Sequence, residues 1–214
     1  MADVFIQKGK QKMRCGYTTG SCATGAVKAC AEMIFTGRKV QKTAINTPKG
    51  IEIELDIHDV CMNEKSTSCS VVKYGGDDPD ITNGIKIFAE VTLSESEIEI
   101  FGGRGVGKVT KEGLDQPVGE WAINSVPRKM IRGVLEEIAE KSGYSGGFRV
   151  VISVPEGEEI ARKTYNSRMG ILGGISIIGT SGLVEPMSSQ ALVDTIRAEA
   201  SIRRCSGAKN MLLT

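Results

Sequence analysis

The sequence has little of several features that would assign it to a common functional class. It has one histidine, His58, and no apolar run near the roughly 18 residues that a membrane-spanning helix needs. Its charges nearly cancel, with 27 Lys plus Arg against 26 Asp plus Glu, so no basic field indicates a nucleic acid partner. The first residues include neither a long apolar region nor a small-residue cleavage site, so we expect no secretory signal.

Cysteine and histidine chemistry is equally limited. The six cysteines form no C-x-x-C pair and no ferredoxin spacing, so we expect free structural thiols, no metal site and a cytoplasmic protein. His58 ends an alternating run on the face that carries Glu52, Glu54 and Asp56, which predicts an exposed strand position. A Ser-His-Asp hydrolase or a multi-histidine zinc enzyme would depend on this one poorly placed residue, so the sequence favours neither.

Apolar spacing predicts three helices. The first covers residues 21–36 and ends at Gly37, the second takes Ser125 as its N-cap and ends at Gly143, and the third starts after Ser188 or Ser189 and stops before Gly207. Strands are predicted at residues 40–46, 51–57, 70–73, 85–93, 98–101, 148–154 and 174–178. Several strands alternate with period two, so the predicted fold class is α+β, with a mixed, largely antiparallel sheet and packed helices.

Two patterns concern domain organisation. A helix, a strand and a Pro-x-Gly turn occur twice, with Pro48 and Pro155 in equivalent places, which raises the hypothesis of an internal duplication although such turns are common.

The closing NMLLT, residues 210–214, resembles the opening of a buried strand. We therefore expect residues 1–209 to form one α+β domain and residues 210–214 to begin a second domain that is missing here.

The Gly-rich segment 169–188 is the most informative part of the chain. Glycines alternate there with β-branched residues, a pattern that marks close backbone approach, and a polar loop follows, as at many small-ligand sites. The alternative is a purely structural crossing of the chain. The candidate binding residues of this segment are Gly173, Gly174, Ser176, Gly179, Thr180 and Glu185.

The segment RCGYTTGSCATG, residues 14–25, leads into the first predicted helix. Small residues at a helix N-terminus offer backbone N–H groups and a favourable dipole to an anion, although an ordinary capped helix start has the same pattern. No Gly-Lys-Ser/Thr follows, so this is not a Walker A loop. The candidate binding residues are Tyr17, Thr18, Thr19, Gly20 and Ser21.

The segment VKYGGDDPDITNG, residues 72–84, places Asp77, Asp78 and Asp80 close together as candidate catalytic residues. Such carboxylates could bind a divalent cation, hold an amine or hydroxyls of a ligand, or act as a base with a raised pKa. An Asx-rich turn between two strands is the alternative. Gly75, Gly76, Thr82 and Asn83 are candidate binding residues in the same loop.

Two further segments contribute candidates. FGGRGVGKVT, residues 101–110, follows a predicted strand, but Lys108 stands where a dinucleotide fingerprint needs glycine, so we expect a flexible ligand-covering loop. Its candidate residues are Gly105, Gly107 and Thr110. TYNSRMG, residues 164–170, offers Asn166 and Arg168, which together with Asn124 and Arg128 would supply amide and cationic contacts to carboxylates.

Taken together, these strings resemble the cobalt-precorrin-5B C(1)-methyltransferase family (CbiD) of anaerobic cobalamin biosynthesis. The matching pieces span nearly the whole chain in order. They are RCGYTTGSCA, VKYGGDDPDITNG, GRGVGKVTKEGL, PVGEWAINSVPR, VPEGEEIARKTYNSRMGILGGISIIGTSGLVEPMS and the final helix with NMLLT.

The resemblance implies an enzyme that transfers a methyl group from S-adenosylmethionine to C-1 of a cobalt-containing, ring-contracted tetrapyrrole, giving cobalt-precorrin-6A. It implies a Rossmann-like second domain beyond this chain that helps to bind the donor. The implied partner is the small-molecule corrinoid, with neither nucleic acid nor membrane, and the oligomeric state stays open, a homodimer included. Asp77, Asp78 or Asp80 would then accept a proton or hold donor groups, and Arg128 or Arg168 would bind substrate carboxylates.

Two alternatives belong to other classes. A small-molecule phosphotransferase of the galactokinase–mevalonate kinase type also places a Gly-Ser-rich loop before a helix, and it would bind ATP rather than S-adenosylmethionine. A tetrapyrrole-binding module without catalysis is the other alternative.

Overall fold

The computed structural model describes residues 4–210, which form a mixed α+β fold. The helices are α1 (Thr19–Thr36), α2 (Ser125–Ser142), α3 (Gly157–Arg162), α4 (Asn166–Met169) and α5 (Ser189–Cys205). The strands are β1 (Phe5–Lys8), β2 (Gln11–Arg14), β3 (Gly16–Tyr17), β4 (Lys42–Asn46), β5 (Glu52–Asp56), β6 (His58–Met62), β7 (Thr67–Val72), β8 (Lys86–Ser94), β9 (Glu99–Gly102), β10 (Gly105–Val106), β11 (Lys108–Val109), β12 (Gly147–Ser153), β13 (Ile171–Leu172), β14 (Gly174–Ile175) and β15 (Leu183–Val184).

A five-stranded sheet in the order β6-β7-β8-β12-β9 forms the centre of the fold. Its pairs are antiparallel except for β12 with β9, so the predicted largely antiparallel α+β class is confirmed. Helix α1 packs against β7, β8 and α2. Inward-facing side chains of the sheet and of α1 and α2 form one continuous apolar core.

Helix α1 is buried on most of its circumference because its small residues, Gly, Ala, Ser and Cys, let neighbouring elements approach closely. Its C-terminus is as predicted, with Gly37 in the left-handed conformation at φ 66°. Its N-terminus lies two residues before the predicted start, because Thr18 is the N-cap and accepts a hydrogen bond from the Ser21 N–H.

Helix α2 begins at the predicted place but is capped differently. Ser125 is its first residue rather than its N-cap, and Asn124 occupies the cap position without a side-chain cap bond. The Asp115 carboxylate accepts hydrogen bonds from the Ser125 N–H at 2.7 Å and from its hydroxyl at 2.8 Å. A carboxylate from ten residues upstream therefore caps this helix and complements its dipole.

Several predicted elements differ from the structure. The predicted strand at residues 174–178 is only β14, because the chain beyond it makes a single bridge, from Ile177 to Ile123. The short helices α3 and α4 and strand β6 were not predicted; His58 opens β6 and is exposed, as expected. Residues 211–214 of the predicted terminal strand lie outside the described residues.

The two Pro-x-Gly turns are not equivalent in the structure. Strand β4 pairs with β5 in a separate hairpin, whereas β12 lies inside the central sheet. Gly50 has a left-handed conformation at φ 74°, whereas Gly157 opens α3. The structure therefore gives no support to the duplication hypothesis.

Helix α5 was predicted correctly, with Ser188 as its N-cap. It lies at the surface: Ile202 is its buried residue, and Leu192 is 64% exposed. Within residues 4–210, none of the helices combines the length and the apolar character needed to cross a bilayer.

Candidate functional site

Three of the predicted site segments meet at the N-terminus of α1. We call this region the junction and define it as residues 14–21, 74–84 and 176–187. Arg14 and Asp77 bind each other twice: the Arg14 N–H donates to the Asp77 carboxylate at 2.6 Å, and the Asp77 N–H donates to the Arg14 carbonyl at 3.0 Å. On the other side, Tyr17 in β3 pairs with Leu183 in β15.

Glycines allow the first two segments of the junction to approach closely. A Cβ on Gly16 would lie 2.3 Å from the carbonyl carbon of Gly75. Gly76 has φ 68°, and a Cβ there would lie 2.4 Å from the Arg14 carbonyl oxygen. These glycines therefore serve close backbone packing.

At the N-terminus of α1, two of the N–H groups that were expected to be open to an anion are bound within the protein, which disfavours that prediction. The Gly20 N–H donates to the Ile178 carbonyl at 2.8 Å, and the Ser21 N–H donates to the Thr18 hydroxyl at 3.2 Å. The buried Ser21 hydroxyl donates to the Gly182 carbonyl at 2.6 Å. The Gly-rich segment thus supplies the acceptors for the Gly20 N–H and the Ser21 hydroxyl, two groups that could otherwise donate to an external anion.

The same contacts show that residues 177–182 of the Gly-rich segment pass across the N-terminus of α1 and pack against it. We call these residues the crossing. The buried Thr19 hydroxyl accepts a hydrogen bond from the Ile178 N–H at 2.9 Å. A Cβ on Gly179 would lie 2.2 Å from the Thr18 hydroxyl oxygen, so only glycine fits. Ile177 is buried, whereas Ile178 is 48% exposed and Thr180 is exposed. The crossing therefore leaves Ile178 and Thr180 available to a ligand.

The three aspartates of the acidic loop have different partners. Asp77 binds the backbone of Arg14, and the Asp78 carboxylate accepts the Met187 N–H at 3.1 Å. Asp80 binds the ammonium group of Lys73. The carboxylates therefore do not converge on one cation, and within residues 4–210 no group of three or more His, Cys, Asp or Glu could hold a metal ion.

Asp80 does not have the raised pKa that was considered for a general base. Burial alone would raise the pKa of Asp80, but hydrogen bonds from Lys73 and Thr82 lower it below its ordinary value. Thr82 donates to the carboxylate through its N–H at 2.8 Å and its hydroxyl at 2.6 Å. Lys73, only 3% exposed, was missed; the available signal was a lysine at the end of the apolar strand run.

Two further polar candidates of the junction, Asn83 and Glu185, also bind within the protein. The Asn83 side-chain oxygen accepts the Gly75 N–H at 2.8 Å, which closes the acidic loop. The Glu185 carboxylate contacts the ammonium group of Lys49. These two candidates therefore order the junction.

A second group of candidates lies where β10 pairs with β14. Gly105 and Gly107 are buried, and a Cβ on Gly105 would lie 1.8 Å from the Val154 carbonyl oxygen. The expectation of a flexible ligand-covering loop is therefore wrong, since this segment is packed between neighbouring backbones. Thr110 is exposed and donates to the Gly170 carbonyl through its N–H at 2.7 Å and its hydroxyl at 2.8 Å.

Asn166 and Ser176 are brought together by the fold. The Ser176 hydroxyl donates to the Asn166 side-chain oxygen at 3.1 Å, while the Asn166 amide donates to the Thr164 hydroxyl at 2.8 Å. Arg168 is exposed and lies over the Tyr165 ring at 5.7 Å. Gly173 is exposed, whereas Gly174 is buried against the Gly105 carbonyl.

Arg128 connects backbone elements. Its Nε donates to the Ile123 carbonyl at 2.8 Å and its Nη1 to the Ile100 carbonyl at 3.2 Å. Burial lowers the pKa of Arg128, against the opposing effect of the Glu120 carboxylate 3.8 Å away. The neighbouring Asn124 uses its N–H on the Ile177 carbonyl at 3.0 Å. The predicted role of Arg128 as a substrate ligand is therefore not favoured.

The junction presents binding groups rather than reactive ones. Its exposed groups include the Thr180 hydroxyl and the apolar side chains of Ile178 and Met187, the last 69% exposed, and the half-buried Asp78 carboxylate lies beside the Met187 N–H. Met187 has a left-handed backbone at φ 53°, which is uncommon for a residue with a long side chain. Such a surface can bind and orient a ligand that has apolar and polar parts.

Comparison with known proteins gives a consistent result. The CbiD family model matches residues 6–186. The cobalt-precorrin-5B C(1)-methyltransferase of Ruminiclostridium cellulolyticum is 54% identical over 98% of this chain and 55% of that protein. The protein of the same name from Clostridium perfringens strain SM101 is 49% identical over 93% of this chain and 54% of that protein.

A solved structure agrees with both comparisons. The crystal structure of a cobalamin biosynthesis protein (CbiD) from Archaeoglobus fulgidus has a TM-score of 0.66 and 34% identity, covering 91% of this chain and 62% of that one. The chain spans about 55% of the length of the first curated relative.

Proposed function

Because the chain belongs to the CbiD family, we propose that it contributes to methylation of C-1 of cobalt-precorrin-5B, giving cobalt-precorrin-6A, with S-adenosylmethionine as the methyl donor. The curated relatives carry the name of this activity. Since the chain spans about 55% of such a relative, the proposal concerns the activity of the whole protein, to which this chain supplies the junction.

One observation carries the proposal. The family resemblance depends on several sequence segments, and three of them come from distant parts of the chain. These three segments meet in space at the junction. Arg14 binds Asp77, Tyr17 pairs with Leu183, and the Asp78 carboxylate accepts the Met187 N–H. The fold therefore assembles one surface from the segments that distinguish this family from other α+β proteins.

Methyl transfer depends on the alignment of the substrate carbon with the donor methyl group more than on reactive side chains. The attacking atom is a ring carbon of the substrate, and the donor supplies an electrophilic methyl group on a sulfonium. Methyl transfer then needs the two atoms in line at about 3–3.5 Å with water excluded. The packed backbones of the crossing provide a rigid base for this alignment, because Thr19 and Gly20 both bind Ile178.

The residues of the junction fit a methyl donor of the S-adenosylmethionine type. Asp78 supplies a carboxylate for the ribose hydroxyls or for the positive charge of the donor. Met187 and Ile178 supply exposed apolar surface for an adenine ring. We therefore assign the donor to the surface around Asp78 and Met187.

Thr180 in the crossing and Arg168, which precedes the Gly-rich segment, fit the tetrapyrrole. Its carboxylate arms need hydrogen-bond donors and positive charge, which Thr180 and the exposed Arg168 offer. Arg128 is already bound to two backbone carbonyls and is left out of this assignment.

The phosphotransferase alternative loses its structural basis. A phosphate cradle needs exposed N–H groups at a helix N-terminus, whereas the Gly20 and Ser21 N–H groups are bound within the protein. A non-catalytic tetrapyrrole-binding module remains a separate outcome of the test below.

Calorimetry with S-adenosylhomocysteine, the demethylated donor, tests the proposal. We expect binding to this chain that weakens about tenfold in Asp78→Asn, since the lost partner is a charged hydrogen-bond acceptor. Glu97→Gln, an exposed carboxylate outside the junction, is the matched control. The intact Ruminiclostridium cellulolyticum relative is titrated in parallel.

Three results would contradict the proposal in different ways. Binding of ATP in place of S-adenosylhomocysteine would indicate a phosphotransferase. Binding of a corrinoid without any S-adenosylhomocysteine binding in either protein would indicate a non-catalytic module. Equal affinity of Asp78→Asn and the unchanged chain would remove Asp78 from the donor site.

A further inference from the structure

An open pocket of about 290 Å³ lies beside the junction. Arg14, Tyr17 and Tyr74, which we call the polar wall, line it together with three apolar side chains. The apolar residues are Leu55, Val71 and Val72, and His58 and Asp56 complete the lining. None of the comparisons assigns a role to this pocket.

The polar wall is rich in hydrogen-bond donors. The Arg14 Nη1 donates to the Tyr74 hydroxyl oxygen at 3.3 Å. Because that oxygen accepts from Arg14, the hydroxyl proton of Tyr74 is directed to another acceptor. The Arg14 guanidinium has the planar fork of N–H groups that matches a carboxylate, and a ring N–H of His58 adds a donor.

The charge and polarity of the other lining residues agree with this preference. Asp56 is the one acid in the lining, and the Lys42 ammonium, which pairs with Glu54 at 2.6 Å, lies 3.8 Å from the Asp56 carboxylate. Leu55 and Val71 are buried and provide an apolar floor. A short methylene chain that ends in a carboxylate matches both parts of the pocket.

The pocket volume of about 290 Å³ lies at the lower limit for sites that enclose a whole drug-sized ligand, about 300–1,000 Å³, so the pocket has room for one side arm but not for a macrocycle. The pocket is also held in place by the junction, because the Arg14 backbone binds Asp77 and the Tyr17 N–H donates to the Tyr74 carbonyl at 2.7 Å. A ligand on the junction that carries carboxylate arms can therefore extend one arm towards Arg14.

We propose that the pocket of Arg14, Tyr74 and His58 binds one carboxylate arm of the tetrapyrrole substrate. This inference rests on the proposed function for the identity of the macrocycle. The donor also carries a carboxylate, so the same chemistry has two sources that the experiment must separate.

The test measures binding of two probes to the 214-residue chain: uroporphyrin, a tetrapyrrole with acetate and propionate arms, by fluorescence, and S-adenosylhomocysteine by calorimetry. In Arg14→Gln we expect uroporphyrin binding to weaken about tenfold or more, because a charge-assisted hydrogen bond is lost. Arg149→Gln is the matched control, since Arg149 also lies over a phenylalanine ring, that of Phe101, away from the pocket.

Each outcome has a defined meaning. Equal uroporphyrin affinity of Arg14→Gln and Arg149→Gln would overturn the inference and leave the proposed function intact. Loss of S-adenosylhomocysteine binding alone would assign the pocket to the donor and overturn the arm assignment. No uroporphyrin binding by the unchanged chain would overturn the inference as well, while donor binding would still test the proposed function separately.

Folding of the variants is checked by thermal unfolding. Tyr74→Phe removes only a hydroxyl group, and His58→Gln changes an exposed side chain. If Arg14→Gln does not fold, these two variants decide: weaker uroporphyrin binding in both supports the inference, and unchanged binding in both overturns it.

Discussion

The ammonium group of Lys73 contacts the carboxylate of Asp80 in the interior beneath the acidic loop. Lys73 follows strand β7, and Asp80 lies seven residues later in the loop that contributes to the junction. The contact joins the rigid central sheet to this loop. Asp80 is therefore a structural anchor for the two neighbouring aspartates that remain closer to solvent.

Removing one partner of this ion pair should destabilise the protein strongly. Lys73→Met leaves the partly buried Asp80 carboxylate without its counter-charge, which costs about 3 kcal/mol of unfolding free energy, the lower limit for a buried pair, because Thr82 still donates to the carboxylate. Lys42→Met is the matched control, because Lys42 pairs with Glu54 at 2.6 Å on an exposed surface and should change stability little. Urea unfolding of the two variants measures the difference, and equal losses would contradict the prediction.

The same ion pair predicts a loss of stability in acid. The folded protein has a lowered pKa at Asp80, so this group stabilises the fold above its unfolded pKa of about 3.9. That contribution disappears as the pH falls through the lower folded pKa. The unfolding free energy should therefore drop below about pH 4, and less steeply in Asp80→Asn. Denaturant unfolding at several pH values tests this, and parallel curves for the two proteins would refute it.

The sequence predicts local features of this fold well. The apolar spacing of α1 and Gly37 after it depend on neighbouring residues, and the structure confirms both. The polar end of the Gly-rich segment and the acidic loop both lie in the junction, and their part in ligand binding stays a prediction. Patterns of this kind carry their information within one or two turns of chain.

Interactions between distant residues could not be predicted in the same way. The N–H groups at the N-terminus of α1 looked available to an anion because the carbonyl groups that accept from them lie far away in the sequence. Ile178 is 159 residues after Thr19. The role of Asp80 depended on Lys73, whose burial is decided by the packing of β7 against α1. Arg128 was expected to meet a ligand, but it binds carbonyls that only the folded chain brings near.

The buried glycines of the second candidate group make a specific prediction. In Gly105→Ala the new Cβ would lie 1.8 Å from the Val154 carbonyl oxygen, so β10 must move away from its neighbour. Gly119→Ala is the matched control, with φ 93° and no atom within 4 Å of the new Cβ. Both variants carry the strain of a left-handed alanine, about 1–2 kcal/mol. Gly105→Ala should lose clearly more stability in urea than Gly119→Ala, and equal losses would show that the segment is not tightly packed.

The free thiols should react in two groups. Cys61 and Cys205 are exposed, whereas Cys15, Cys22, Cys30 and Cys69 are buried. Burial raises the pKa of Cys22 to about 12, which leaves almost no thiolate for reaction. We expect two thiols to react rapidly with a disulfide reagent at pH 8 and the others only after unfolding. The double variant Cys61→Ser/Cys205→Ser should lack the rapid phase, and a rapid phase that persists would place a further thiol at the surface.

Thr18 should stabilise the junction beyond its role as a helix cap. Its hydroxyl accepts the Ser21 N–H and also lies 3.2 Å from the Ser21 hydroxyl and 3.4 Å from the Gly182 carbonyl. Ser188 caps α5 through one bond to the Ala191 N–H, so Ser188→Ala isolates the cost of a lost cap, about 1 kcal/mol.

Thr18→Ala should therefore cost more unfolding free energy than Ser188→Ala, because it also loosens the crossing that packs on Thr18 through Gly179. Hydrogen exchange provides the decisive measurement. In Thr18→Ala the Gly20 and Ser21 amides should exchange faster, since both depend on contacts that Thr18 and the crossing supply. Faster exchange at Ser21 alone would mean that Thr18 acts only as a cap, and that the crossing is held by Thr19 and Ser21 without it.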